Sequence, residues 1–258
     1  MNRILATLLI TTASASAAFA QSAIGLTGDK TLVMIDLASA KVTGSVDVQG
    51  VDRLLGIDLR PSNNTVVGVT ADHRIVVIDA ASGATTELSK MTTMLPSVDG
   101  AVVVDFNPAA DRLRFMTGTT NHRVNVDTGE VTVDGSLAYV DEDMHAGEDP
   151  AIIAAAYINS YGKPEKTAMF NIDGKISGLI QQTAPNDGTL AAIGKLGVTL
   201  DGPVGFDVAT TADGSNTAWL AANGGLHNVD IATGAITGSW NISGTDQVIR
   251  DITILPAM

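Results

Sequence analysis

The chain has 258 residues and no cysteine. That excludes disulfides, thiol catalysis and cysteine-based zinc sites. Aromatic residues make up 4% of the sequence, too few to furnish an aromatic platform for sugars. Proline is sparse at 8 residues, whereas glycine reaches 26, which implies many tight turns. Positive charge is short: 15 Lys and Arg stand against 28 Asp and Glu, a net charge of −13. Nucleic acid is excluded as a partner, because binding phosphates needs clustered basic side chains. Past the N-terminus no apolar run reaches the roughly 18 residues of a membrane helix. The 45% hydrophobic and 17% charged content instead suits a folded chain with a large core.

What is present begins with an address. Asn2-Arg3 is a short positive start, Ile4 to Ile10 is apolar, and Ala18-Phe19-Ala20 is a small-x-small cleavage pattern before Gln21. Residues 1–20 therefore read as a secretory signal peptide, and residues 21–258 as the mature domain. The expected location is periplasmic or secreted.

A repeat runs through the mature chain. One phrase joins an apolar pair, an Asp, small residues and a β-branched run: Met34-Ile35-Asp36, Val77-Ile78-Asp79, Asn125-Val126-Asp127 and Asn228-Val229-Asp230, with a degenerate copy at Leu179-Ile180-Gln181. Each reads as a β-hairpin whose Asp accepts turn N–H groups. A second phrase precedes the hairpins, at Gly56-Ile57-Asp58, Val104-Asp105-Phe106, Ala156-Tyr157-Ile158 and Gly205-Phe206-Asp207, with Tyr157 standing where the others have Asp. Each unit holds four strands, the size of a propeller blade. The first unit lacks the leading phrase, and Val248-Ile249-Arg250-Asp251-Ile252 at the other end supplies one. The expectation is an all-β, five-bladed propeller of four-stranded blades, its C-terminal strand completing the first. A six-bladed ring and an irregular β-sandwich stay open as alternatives.

These residues also carry a family resemblance. Leu55-Gly56-Ile57-Asp58-Leu59-Arg60-Pro61, then Asp105-Phe106-Asn107-Pro108-Ala109-Ala110-Asp111-Arg112-Leu113-Arg114, then Pro185-Asn186-Asp187-Gly188-Thr189-Leu190 make the chain similar to the bacterial domain-of-unknown-function family 4394. The resemblance spans nearly all of the mature chain. It implies an exported protein and assigns no activity, substrate or catalytic residue.

Two constellations are candidates for chemistry. Asp58, Asp105, Asp207 and Asp251 sit in the leading phrases, so a central channel would bring carboxylates together. Such a ring suits a hard cation such as Ca²⁺. The competing account has each Asp bonding backbone N–H groups or an Arg such as Arg53, Arg60 or Arg250. Arg112 and Arg114 alternate onto one strand face near Asn121 and Arg123, a set that could clamp a carboxylate or phosphate. Its structural alternative is pairing with Asp105, Asp111 or Asp127 to staple blades two and three. The run Asp141 to Asp149 is acidic, lacks Ca²⁺-loop spacing and reads as a solvated connection. No nucleophile elbow, phosphate loop or His pair is present, so no catalytic residue is named. The expected function is a non-enzymatic binding or scaffold module for a protein or small ligand, needing no cofactor. The alternative is a Ca²⁺-dependent, lactonase-like hydrolase using the carboxylates.

Overall fold

The computed structural model describes residues 21–256, so the leader sequence lies outside the described residues. Strand β1 (Ser22–Thr27), β2 (Thr31–Asp36) and β3 (Lys41–Asp47) open the ring. Blade two is β4 (Leu54–Arg60), β5 (Thr65–Thr70), β6 (Arg74–Ile78) and β7 (Thr85–Lys90). Blade three is β8 (Val103–Asn107), β9 (Arg112–Thr117), β10 (Thr120–Val124) and β11 (Val131–Val133). A short strand, β12 (Ala138–Tyr139), leads to blade four: β13 (Ile152–Tyr157), β14 (Met169–Asp173), β15 (Gly178–Ala184) and β16 (Thr189–Lys195). Blade five is β17 (Gly205–Thr210), β18 (Asn216–Ala222), β19 (Gly225–Val229) and β20 (Ile236–Asn241). The last strand, β21 (Ile249–Ile254), returns to pair antiparallel with β1 and becomes the innermost strand of blade one. The fold is thus the expected five-bladed propeller, closed by its C-terminal strand. Among the described residues no helix is long and apolar enough to cross a membrane.

Burial explains the sequence of each strand. Innermost strands are covered on both faces, and β4 is buried along its whole length. Outermost strands such as β3 and β20 are largely exposed and carry Lys, Thr, Ser and Gly. The core is divided between neighbouring blades: Leu55, Val67, Phe106 and Phe115 fill the gap from two to three, and Phe170, Leu179, Phe206 and Leu220 that from four to five. Stacking flat apolar sheets around an axis lets every blade but its outer edge leave water.

The hairpin phrase behaves as expected in blades two and five. Asp79 and Asp230 accept the N–H groups of Ala81 and Ala232 through their side chains. Gly83 and Gly234 then donate back to the Asp carbonyls in the left-handed conformation that glycine tolerates. In blade three, however, the anchor is Asn125 rather than Asp127: Gly129 donates to the Asn125 carbonyl, and Asn125 Oδ1 accepts from Asp127. In blade four the corresponding turn starts at Ala184, with Gly188 donating to it, and Gln181 lies inside β15.

The innermost strands β17 and β21 approach each other closely at a residue without a side chain. A Cβ on Gly205 of β17 would lie 2.7 Å from the backbone of Asp251 and Ile252 in β21. Backbone cannot yield as a flexible side chain can. Gly205→Ala is therefore expected to destabilise the protein by about 2 kcal/mol, read as a lower midpoint in urea denaturation; an unchanged midpoint would mean that the two strands part at no cost.

Candidate functional site: the central channel and its two mouths

The innermost strands follow one another around the axis in the cycle β21, β4, β8, β13, β17 and back to β21. They do not form a backbone ladder with one another. Their N–H groups on the channel side are buried and need acceptors from elsewhere. The acidic phrase supplies them. Asp58 of β4 accepts the N–H of Phe106 in β8 at 2.7 Å, and Asp105 of β8 accepts that of Tyr157 in β13 at 2.9 Å. Asp207 of β17 accepts the N–H of Ile254 in β21, and Thr253 Oγ1 of β21 accepts that of Leu59 in β4 at 3.0 Å. In these four blades the rule is the same: the latch residue accepts the N–H of the residue that follows the next blade's latch position.

That rule corrects two sequence assignments. Thr253, not Asp251, occupies the latch position of the closing strand. Asp251 lies two residues earlier and holds Ile57 N–H at 2.7 Å in a second layer. In blade four the latch position belongs to Ala156, because the N–H that Asp105 holds is that of Tyr157. Ala156 has no acceptor to offer β17, and Val208 N–H turns instead to the carboxylate of its own neighbour, Asp207.

Asp58, Asp105 and Asp207 offer oxygens that all lie within 4.8 Å of one another, with Asp251 outside the trio. Ca–O distances of about 2.4 Å make this spacing compatible with a shared cation. The oxygens are mostly committed, however. Asp58 uses both on Leu59 N–H, Thr253 Oγ1 and Phe106 N–H, and Asp207 uses both on Val208 and Ile254. Among the described residues no hydrogen bond reaches Asp105 Oδ2, which leaves it the freest ligand atom of the three. Burial, and then the charge of Asp207, push the Asp58 carboxyl well above the usual range. Burial followed by Asp58 and Asp207 does the same to Asp105. Burial raises Asp207 to about 6 and Asp251 to about 7.

The two channel mouths differ in chemistry. A cavity of about 430 Å³ opens at the C-terminal ends of the inner strands, with Asp58 and Asp207 toward its floor and Ser62, Asn64, Ser160 and Thr210 among its walls. The opposite mouth, about 350 Å³, is walled by Leu55, Val102, Ile153 and Val204 beside Arg53 and Arg250. Arg250 is tied there by four hydrogen bonds to the carbonyls of Gly28, Asp29, Leu54 and Leu55, and it pairs with no channel carboxylate. Arg53 reaches Asp29 at 3.8 Å.

The arginine set splits. Arg114, 2% exposed, bonds Asn121 Oδ1, Asp134 and Asn186, and Asn121 bonds the carbonyls of Gly135 and Pro185. Both residues staple blade three to blade four. Asp111 and Asp127 instead receive Arg60, which joins blade two to blade three through paired contacts of 2.6–2.9 Å. Arg112 and Arg123 stay nearer the surface and line a third, smaller cavity. The acidic loop is largely exposed, as expected, and is tethered at a few points: Asp143 caps Ala192 N–H, and Glu148 meets Lys175 at 2.9 Å and His145 at 3.2 Å. Sequence reading missed Thr253, Asp134 and Asn186 as parts of these networks. Only the Asp-x-Thr spacing of the last strand carried a signal for one of them.

A family model described as "Domain of unknown function (DUF4394)" matches residues 10–253. No curated protein matches the chain. Similar solved structures include a protein of unknown function from Bacteroides thetaiotaomicron VPI-5482, with 18% identity and a TM-score of 0.51 over 94% of this chain and 68% of that one. A second, from Bacteroides caccae, has 12% identity and a TM-score of 0.45 over 86% and 73%. A calcium-binding protein, regucalcin, from Agrobacterium tumefaciens str. C58 has 18% identity and a TM-score of 0.44 over 84% and 68%. At these identities the likeness is one of fold.

Two predictions follow from the geometry. A carboxyl whose folded pKa is raised binds more protons folded than unfolded, so stability falls as pH rises from about 4 through the folded values. Asp105→Asn keeps an oxygen for Tyr157 N–H and removes one charge. Its melting temperature relative to the unmodified protein is expected to climb between pH 5 and pH 8; a pH-independent difference would show that the carboxylates do not repel one another. Arg114→Leu is expected to cost about 2 kcal/mol in denaturant titration, since it leaves Asp134 to Arg123 alone and takes the buried donors from Asn121 and Asn186.

Proposed function

The chain belongs to the family DUF4394, and on that footing we propose that it is an exported, non-catalytic binding module whose ligand enters the 430 Å³ channel mouth. One observation carries this reading. Among the described residues lining that mouth, Asp58 and Asp207 are the only charged side chains, and hydroxyl, amide and carbonyl oxygens surround them. Hydroxyl and amide groups beside two acidic side chains and no basic one favour a hydrogen-bonding ligand that carries hydroxyl or ammonium groups. A volume of that order accommodates a small molecule.

The residues at the mouth do not compose a nucleophile. Ser160 Oγ donates to the Tyr157 carbonyl rather than to a base, and its N–H is taken by Thr210 Oγ1. The metal-assisted hydrolase is the weaker reading, because a cation at the trio would compete for carboxylate oxygens that already latch Phe106 and Ile254. Location in the periplasm or outside the cell rests on the leader read from residues 1–20.

Calorimetry with a neutral polyol (sucrose) and with a small polyamine (spermidine) tests the proposal and separates the two donor types. Saturable binding of either, lost in Ser62→Trp at the rim, is the expected result. Absence of binding by both, or binding unaffected by Ser62→Trp, would overturn it. A melting temperature raised by Ca²⁺ and no longer raised in Asp105→Asn would favour the hydrolase instead.

A further inference from the structure

The face of blade three that looks toward blade four carries more positive charge than the staple uses. Arg112, Arg114 and Arg123 share this face, since Arg123 lies directly across from Arg114 in the β9–β10 ladder and Arg112 is two residues from Arg114. Arg114 is enclosed. Farther out, Arg112 and Arg123 line a cavity of about 230 Å³ with Asn125, Glu130 and Thr132.

Some guanidinium N–H groups on this face have no carboxylate bonded to them among the described residues. Asp134 is divided between Arg114 at 2.8 Å and Arg123 at 3.1 Å. Arg123 commits Nε and Nη2 to that carboxylate, and no hydrogen bond among the described residues engages its Nη1. Arg112 has no ion pair among the described residues; its hydrogen bond runs from Nη1 to the Asp111 carbonyl at 2.9 Å. The Asp111 carboxylate is not available to it, being held by Arg60. Arg112 lies in the field of Asp111 and Asp127, yet neither carboxylate bonds it, so the cleft presents guanidinium N–H groups that no carboxylate among the described residues engages.

We propose that this cleft is an oxyanion site that takes the phosphate or carboxylate group of a small ligand, with Arg112 and Arg123 as its forked donors and Asn125 and Thr132 as neutral partners. Guanidinium pairs match both anions through parallel N–H bonds, and the polar walls offer nothing to an apolar group. Glu130 acts against the anion and sets the affinity low. The site is separate from the channel mouth and stands or falls without it.

Calorimetric titration of the full chain with inorganic phosphate and, separately, with acetate tests it, with sodium chloride as the ionic-strength control. Saturable binding of phosphate or acetate beyond the chloride control is expected, and the tighter of the two identifies the group. Arg112→Gln, which leaves the Arg114 staple intact, is expected to weaken binding about tenfold. Glu130→Gln is expected to tighten it, and Arg53→Gln at the far mouth to leave it unchanged. No binding beyond chloride, or equal binding by a folded Arg112→Gln variant, would overturn the proposal.

Discussion

The fold depends on how inward-facing backbone N–H groups find acceptors where no neighbouring strand pairs with them. In a propeller the sheets meet at the axis edge to edge without a continuous ladder, and a buried N–H left unpaired is costly. Here one side chain in four of the five blades reaches across to the next strand, through Asp58, Asp105, Asp207 and Thr253. The recurrent Asp of the leading phrase is therefore first an architectural residue. Its oxygen sets the separation of adjacent blades, and the inward glycines Gly56 and Gly205 allow the strands to come that close.

The same solution concentrates charge. Latching with carboxylates brings three of them together within 4.8 Å at the axis. Burial first, and mutual repulsion at Asp58 and Asp105 second, put these latches in tension and make their carboxyls hold protons to higher pH than free ones. Blade four relieves part of this tension by placing Ala156 where a fourth carboxylate would stand. The one irregular blade stands next to Asp105, whose Oδ2 accepts no hydrogen bond among the described residues.

Much of this was legible in the letters. The blade count and the closing strand followed from a phrase missing at one end and left over at the other. The Asp register followed from repetition, because the same orphan N–H recurs in each blade. Finer placement was not legible. Asp251 carries the expected letter, yet in the ring it matches Gly56 of β4, and Thr253 matches the latch Asp58. Asp127 looked like a turn anchor because it resembles Asp79, but the turn hydrogen bonds start two residues earlier at Asn125. Arg114 ends on Asn186, 72 residues away, a contact that no local spacing encodes. The split of the arginines into a buried staple and an open cleft likewise depends on which blade stands opposite.

Closure by β21 gives the molecule a direction in time. The hydrogen bond from Ile57 to Asp251 joins positions 194 residues apart, and Leu59 to Thr253 spans the same separation. Blades two to five each assemble from contiguous sequence and can form as the chain emerges. Blade one cannot, because its innermost strand is made last. Until that strand arrives the ring is an open arc with two unpaired margins, and such margins invite pairing with other chains. Docking of β21 on β1 is thus the event that turns a row of sheets into a closed body.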